Sequence, residues 1–297
     1  MAFLANRVLI IGAGLIGGSL AKALRQRGLV KSVAGYGRRK EQLLKGIELG
    51  VLDEVVDDLA LAVSEADIIV LGVPTLTVKE YLPVIQQHKK VDAVVTDVAS
   101  VKGEIAHMIV QLFGEVPSWF VLGHPIAGSE KSGITASNEN LFVNHKVILT
   151  PNYLTDKNAL QLITTMWQEV GASVESMSVE QHDAVLAATS HLPHALAFTL
   201  VEALSNLDVN VDVFRFAAGG FRDFTRIASS HPVMWHDIML ANKVAILDVM
   251  AHFKTTLNQL ELAIENDDGE AILAMFERAK TARDQYSELL LNRQKEE

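Results

Sequence analysis

Residues 8–21 read Val8-Leu-Ile-Ile-Gly12-Ala-Gly14-Leu-Ile-Gly17-Gly-Ser-Leu-Ala21. An apolar run, a Gly-x-Gly-x-x-Gly turn and then helix-forming residues predict a strand, a tight turn and a helix. The first glycine permits the turn, the second lets a backbone approach a pyrophosphate, and the third allows close helix–strand packing. The start of the helix favours negative charge. Alone, the glycine spacing also suits a turn used only for packing. Here it has a strand before it, a helix after it and a second strand at 32–36, the context that dinucleotide binding requires. Gly12, Gly14, Leu15, Ile16 and Gly17 are therefore the expected cofactor contacts. Arg7 and the apolar run could also pass for a signal peptide. The run continues into Lys22-Ala-Leu-Arg-Gln-Arg-Gly28, however, which reads as an amphipathic helix rather than a cleavage site.

The end of the second strand bears on cofactor choice. It reads Ala34-Gly-Tyr-Gly-Arg-Arg-Lys40, with no acid before Glu41. An acidic residue in this region usually holds the ribose hydroxyls of NAD. Gly37 stands where such an acid would repel a 2′-phosphate, and Arg38 and Arg39 can reach one. NADP is the expected cofactor, with NAD possible; the competing reading leaves both arginines as solvated surface.

Alternation continues through the first half. Strands are expected at 68–73, 93–97, 121–123 and 147–150, with helices at 18–26, 40–49, 78–87 and 102–113. Such alternation implies βαβ units and a mostly parallel sheet. A helix at 157–169 and a strand at 173–177 are expected to close this domain. From residue 179 on, strand patterns vanish and apolar-periodic segments follow at 181–207, 232–264 and 269–292. The segment 194–204 is apolar on nearly every side, as in a helix buried centrally or in an oligomer interface. The expected architecture is α/β: an N-terminal Rossmann-type dinucleotide-binding domain over residues 1–177, then an all-helical dimerisation domain over 178–297, forming a homodimer.

Composition narrows the function. The chain has 297 residues, 26 Lys+Arg against 36 Asp+Glu, a formal net charge of −10 and no cysteine. The length suits two domains. The lack of cysteine removes disulfide scaffolds, thiolate zinc sites, iron–sulfur clusters and a Cys nucleophile, and it agrees with a cytoplasmic address. The acidic balance argues against a general nucleic-acid binder. No run of ~18 uninterrupted apolar residues marks a membrane span. A small anionic substrate is still accommodated by a local basic site.

Three segments carry residues able to act. In Thr96-Asp-Val-Ala-Ser100-Val-Lys102, Ser100 offers a hydroxyl at an expected helix N-cap, and a plain cap is an equal reading. In Leu122-Gly-His124-Pro-Ile-Ala-Gly-Ser129-Glu130-Lys-Ser-Gly133, His124 stands at a strand end fixed by Pro125. A neutral imidazole there can accept a hydrogen bond from a substrate hydroxyl and draw its proton as hydride leaves. In Gly219-Gly-Phe-Arg222-Asp223-Phe-Thr-Arg226, the two arginines share a face if helical. Asp223 can pair with Arg222, leaving Arg226 to bind a carboxylate. His191 and His194 could suggest a metal pair, but without cysteine or a matching third ligand no metal is expected. Pro193 is expected to start or kink a helix and turn one histidine toward the cleft.

Taken in order, GAGLIGGSLA (12–21), DVASVK (97–102), GHPIAGSEKSG (123–133), TSHLPH (189–194) and GGFRDFTRIASSHPVMW (219–235) resemble the prephenate/arogenate (cyclohexadienyl) dehydrogenases of tyrosine biosynthesis. The resemblance spans nearly the whole chain. It implies oxidative decarboxylation of prephenate or arogenate, with hydride transfer to NAD(P). His124 corresponds to the family's catalytic histidine on the ring hydroxyl. Ser100 corresponds to a catalytic serine contacting that hydroxyl and the nicotinamide region. Arg226 corresponds to the clamp on the ring carboxylate, and His194 to a substrate-pocket histidine. Ser129 and Glu130 match a pair at the pocket mouth, Gly219 a backbone contact, and Trp235 a tryptophan able to reach a neighbouring subunit's site. Gly37 departs from NAD-dependent members, and His231 replaces a frequent Asp before Pro232. No chorismate mutase segment is expected before Arg7, and no ACT-type regulatory domain after the helices. Two alternatives compete. A β-hydroxyacid dehydrogenase typically uses a lysine of its helical domain, and none occurs between Lys157 and Lys243. An NADP(H)-binding regulator without turnover would leave His124 and Arg226 apart.

Overall fold

A computed structural model of the chain describes residues 3–129, 131–207 and 213–296. Strand β1 (Ala5–Ile11) leads into α1 (Leu15–Gln26), and β2 (Val30–Tyr36) into α2 (Lys40–Glu48). There follow β3 (Glu54–Val55), α3 (Leu59–Glu65), β4 (Ile68–Leu71), a 3₁₀ turn at Thr75–Glu80, α4 (Leu82–His88), β5 (Val94–Asp97), α5 (Lys102–Phe113) and β6 (Phe120–Val121). The six strands form one parallel sheet in the order β3-β2-β1-β4-β5-β6. Strand order reverses between β1 and β4, and the crevice beyond the carboxyl ends there is where such sheets bind ligands. Side chains alternate across the sheet: Val8 and Ile10 join one apolar layer with Leu20 and Leu24, Leu9 and Ile11 the other with Ile69 and Ile85. Both layers are covered by helices, which is why β1, β4 and β5 read as continuous apolar runs.

The expected single sheet is corrected at Leu122. Its carbonyl accepts the N–H of Thr150 at 3.0 Å, so the chain leaves the parallel sheet there. Strand β7 (Gly123–Pro125) instead pairs antiparallel with β8 (Lys146–Leu149), which pairs parallel with β9 (Ser173–Ser176). Between β8 and β9 runs α6 (Lys157–Glu169), capped by Asp156, whose side chain accepts the N–H groups of Asn158 and Ala159. A 3₁₀ turn at Ile134–Ala136 packs Ile134 into the first layer.

The remainder is largely helical, and no strand follows β9 among the described residues. Helix α7 (Val179–Leu186) starts at a capping box formed by Ser178 and Gln181. A π turn, Ala187–His191, joins it to α8 (Leu192–Ser205). The expected kink at Pro193 takes this form because the ring has no N–H for the carbonyl of Thr189, and the ladder adjusts around the gap. A 3₁₀ turn at Val213–Phe216 precedes α9 (Gly219–Thr225), a second at Arg226–Ser229 follows it, and then come α10 (Pro232–Ala241), α11 (Lys243–Glu265) and α12 (Gly269–Glu296). The apolar-periodic segment expected over 232–264 is divided at Asn242, which ends α10. Helix α8 is not central in this chain: Leu192 and Ala197 are its buried residues. The run Val179–Ser205 has the length and composition to cross a membrane.

The chain divides into two compact units, residues 1–246 and 247–297. The second holds the rest of α11 and α12. Its turn places Asp267 in the left-handed region at φ 54°. Leu257, Leu262, Ile264, Leu273 and Phe276 of this unit are exposed.

One ion pair sits under the crevice. Lys102 and Asp97 are both fully buried and paired. Asp97 also accepts the N–H groups of Ala99 (3.0 Å) and Gly123 (3.2 Å), and Lys102 Nζ donates to the Gly123 carbonyl at 2.6 Å. The tip of β5, the start of α5 and the first residue of β7 are therefore tied to one charge pair. Removing one partner leaves the other charge buried and uncompensated, at a cost of about 3–5 kcal/mol. Asp97→Asn is expected to lower the unfolding free energy by about that amount, read as a lower urea midpoint at unchanged slope; an unchanged midpoint would show that the pair is not holding the three segments.

Candidate active site

The glycine turn has the shape its sequence implies. Gly12 adopts φ +92°, and a Cβ on it would lie 2.8 Å from the Gly72 backbone. A Cβ on Gly17 would lie 2.7 Å from the Gly12 carbonyl, so the helix can approach the strand this closely only with glycine. Gly14 faces open space and caps α1 without a side chain, and the first turn contains no acid. The N–H groups of Leu15, Ile16 and Gly17 begin a helix that no side chain caps, which is the donor set a pyrophosphate needs. These residues fit a dinucleotide.

Beyond β2, Arg38, Arg39 and Lys40 are exposed and Gly37 is half-buried. Lys40 pairs with Asp57 at 2.5 Å. Arg38 lies against the Tyr81 hydroxyl, whose acidity is lowered by burial despite the adjacent guanidinium. Arg39 has no ion pair among the described residues, and a side chain at Gly37 would meet nothing closer than Leu43 at 3.8 Å.

His124 is buried in β7, and its Nδ1 lies 2.9 Å from Nε2 of His182. His182 Nδ1 lies 2.7 Å from Asp183 Oδ1. Asp183 also accepts the backbone N–H groups of Lys102 (2.9 Å) and Gly103 (2.8 Å). It is therefore Asp183, from α7, that satisfies the start of α5, and the reading of Ser100 as the cap is corrected: the cap position is Val101, with no side-chain bond. Ser100 is half-buried just before that helix and makes no side-chain hydrogen bond among the described residues. Lys102 is consumed by Asp97.

Burial holds His124 well below the ordinary histidine range, with the charges of His182, Lys102 and His191 adding to the effect. The ring is neutral at neutral pH. Burial pushes Asp183 up, but its bonds from His182, Lys102 and Gly103 outweigh this and hold it below the ordinary carboxylate value.

The π turn and α10 supply the other wall. Asn242 Nδ2 donates to the Asp183 carbonyl at 2.8 Å and lies 3.1 Å from His191 Nδ1. His194 stacks on Trp235 with ring centres 3.6 Å apart, and donates from Nδ1 to the Ser190 carbonyl at 2.8 Å. Within its own chain the Trp235 ring is buried, held between His194 and the small core of Val101 and Ile238. Its indole N–H is buried without a hydrogen-bond partner among the described residues. Arg226 opens the turn after α9, is exposed, and is near enough for its charge to lower the basicity of His194 after burial has done so. Arg222 donates to Asp223 at 3.3 Å in full solvent, and Arg226 has no ion pair among the described residues.

A set of contacts thus runs from His124 through His182, Asp183, Asn242, His191 and Trp235 to His194, whose basicity the charge of Arg226 lowers. Among the described residues, the expected Ser100, Ser129 and Gly219 lie outside it. Ser129 is exposed and accepts the Lys131 N–H at 3.2 Å, Gly219 is exposed at the first residue of α9, and Glu130 lies outside the described residues. His182, Asp183, His191 and Asn242 were missed as site residues. The signals available were the His-Asp pair just after a capping box and a lone Asn in an apolar helical run.

Two family models match the chain: "Prephenate dehydrogenase, nucleotide-binding domain" over residues 20–176, and "Prephenate dehydrogenase, dimerization domain" over 178–278. Cyclohexadienyl dehydrogenase of Zymomonas mobilis is 37% identical over 94% of this chain and 95% of its own length. Prephenate dehydrogenase of Bacillus subtilis is 38% identical over 94% of this chain and 76% of its own. Among solved structures, Aquifex aeolicus prephenate dehydrogenase in complex with hydroxyphenyl propionate and NAD+ superposes with a TM-score of 0.88, at 40% identity over 94% of this chain and 98% of that one. Synechocystis arogenate dehydrogenase gives 0.79 at 32% identity, over 94% and 99%.

The buried histidines make stability depend on pH. Burial, against the opposing charge of Asp183, lowers His191 to about 4 from an ordinary value of 6.5. Below 6.5 the unfolded chain binds a proton that the folded chain refuses, so stability falls as pH drops, until His191 itself protonates near 4. His124, His182 and His194 are shifted in the same direction. Urea midpoints are expected to be lower at pH 5 than at pH 7, with His191→Gln reducing the difference. A higher midpoint at pH 5 would contradict the neutral, buried state of these rings.

Proposed function

This chain belongs to the prephenate dehydrogenase family, and from that premise we propose how its residues carry the oxidative decarboxylation of a prephenate- or arogenate-like cyclohexadiene. Bound NAD(P) supplies the hydride acceptor. The observation that carries the reading is His124: buried and neutral, with the contacts above leading from it to His194, near Arg226, which has no ion pair among the described residues. As the hydroxyl-bearing carbon loses hydride, His124 takes the hydroxyl proton and a carbonyl forms. The ring carboxylate leaves as carbon dioxide, its bonding electrons enter the ring, and the ring becomes aromatic. The ring oxygen then takes the proton back from His124. One hydride and one carbon dioxide leave the substrate, with no net proton.

The other roles follow from chemistry and position. The Ser100 hydroxyl is free to bond the same substrate oxygen. Arg226 clamps the ring carboxylate, since a planar guanidinium matches a carboxylate in two bonds. His194 and Trp235 form an aromatic wall beside it, and Gly219, Ser129 and Glu130 line the approach. Gly12, Gly14, Leu15, Ile16 and Gly17 hold the pyrophosphate. Arg38 and Arg39, with no acid at position 37, favour NADP over NAD while allowing both.

The nucleotide-binding domain extends through residue 177 and the helical domain starts at 178. The second domain makes a homodimer, supported by the description of the matched model over 178–278 and by the exposed apolar residues of α11 and α12. Burial of such a surface by a second copy follows from its apolar character. Charged substrate and cofactor suit a cytoplasmic enzyme.

The deciding experiment crosses prephenate and arogenate with NAD and NADP and follows reduced-nicotinamide absorbance. Turnover is expected, and His124→Asn should lower kcat by ~10²–10⁴, the range for a lost general base. Near-normal turnover of that variant removes His124 from the mechanism, and no turnover by the unaltered enzyme on any pairing overturns the whole reading. In a second experiment, replacing Arg38 and Arg39 together with Ala is expected to raise KM for NADP far more than for NAD. Equal effects on the two would mean that the arginines do not read the 2′-phosphate.

A further inference from the structure

The His124 ring has two nitrogens, and a base for the substrate hydroxyl needs one of them bare and facing the substrate. Nδ1 faces His182 Nε2 at 2.9 Å. The proton in that contact is decided one step further along. Asp183, an anion, can only accept, so the 2.7 Å contact from His182 Nδ1 carries its proton on the histidine. A neutral His182 with Nδ1 protonated has a bare Nε2. His124 Nδ1 must then donate to it, because the opposite tautomer would set two lone pairs against each other at 2.9 Å. The bare nitrogen of His124 is consequently Nε2.

Asp183 does not drift from this arrangement. Its two oxygens accept the N–H groups of Lys102 and Gly103, and a Cβ on Gly103 would lie 2.6 Å from Asp183 Oδ2. The absence of a side chain at residue 103 is what admits the carboxylate. Asn242, at the end of α10, also serves this end by donating to the Asp183 carbonyl.

We propose that His182, held by Asp183, is a positioning residue that fixes the tautomer of His124 and so presents Nε2 as the acceptor of the substrate proton. This rests on the assignment of His124 as the base and deepens it. The charged and titratable groups facing the two rings are Lys102 from α5, Asp97 from β5, Asp183 from α7 and His191 from the π turn. Lys102 and His191 oppose a positive charge on His124. Asp183 is the anion that His182 connects to it. When His124 gains the hydroxyl proton at Nε2, its Nδ1–H bond to His182 becomes charge-assisted and strengthens, and the same bond persists when the proton returns to the ring oxygen. No proton has to pass beyond His124.

Two variants and one spectrum test this. His182→Leu removes the acceptor, and His182→Gln offers an amide oxygen near the position of Nε2. The leucine variant is expected to lose on the order of 10²-fold in kcat, less than the ~10⁴ lost where a triad histidine is held in the wrong tautomer, with KM for the substrate changed little. The glutamine variant should recover most of the loss. Long-range ¹H–¹⁵N correlation spectra of the unaltered protein, with His124→Asn assigning the ring, should show the His124 proton on Nδ1, and the leucine variant should show a mixture. A proton on Nε2 in the unaltered protein overturns the proposal without any variant needing to fold. So does full turnover by His182→Leu, or a glutamine variant as slow as the leucine one. If His124→Asn itself turns over normally, the base assignment fails instead, and the two failures are distinct.

Discussion

The buried pair of Asp97 and Lys102 is the constraint on which the rest of this structure depends. Neither side chain has solvent to fall back on, so each requires the other and the backbone groups around them. Those backbone groups belong to three segments that the chain must bring together: the end of β5, the start of α5, and Gly123. The residue after Gly123 is His124. The charge pair therefore sets the position of His124, the proposed base, through the backbone. It also adds to that ring's electrostatics: burial keeps the imidazole neutral, and the charges of His182 and Lys102 work in the same direction. A lysine fully buried by folding is an expensive device, and here it does two jobs at once.

The helical half is bound to the same place by a second anion. Asp183 caps α5 from across the sequence and at the same time orients His182. A helix cap is ordinarily local, supplied by a residue next to the helix. Supplying it from α7 means that α5 is completed only when the helical segment has docked. Docking of this segment onto the nucleotide-binding layers and assembly of the His124–His182 pair therefore go together.

The parts of this arrangement readable in sequence were those governed by local patterns. The strand, glycine turn and helix at the start follow from apolar runs and glycine spacing, and so do β2, β5 and α5. His124, Arg226 and the pairing of Arg222 with Asp223 could be picked out because their neighbours are unusual. What was not readable depends on partners distant in sequence. The switch of strands at Leu122 turns on a carbonyl bond to Thr150. The fate of Lys102 turns on how deeply it is buried. The cap on α5 comes from 81 residues away in the chain. Short elements such as β3 and α3 were missed because two to seven residues give too little periodicity to count. Family resemblance supplied roles, but it did not supply His182, Asp183 or Asn242, which act through other side chains.

The π turn between α7 and α8 has a further consequence. Each residue of an α-helix advances the side-chain direction by about 100°, so one added residue in a turn resets the phase of everything beyond it. The helix before the turn meets His124 through His182, and the helix after it carries the aromatic wall through His194. On a continuous rod these two histidines, twelve residues apart, would point about 120° away from each other, and one inserted residue brings them to about 20°. The extra residue acts as a vernier: it offsets two rulers of the same pitch so that marks on both fall at one point.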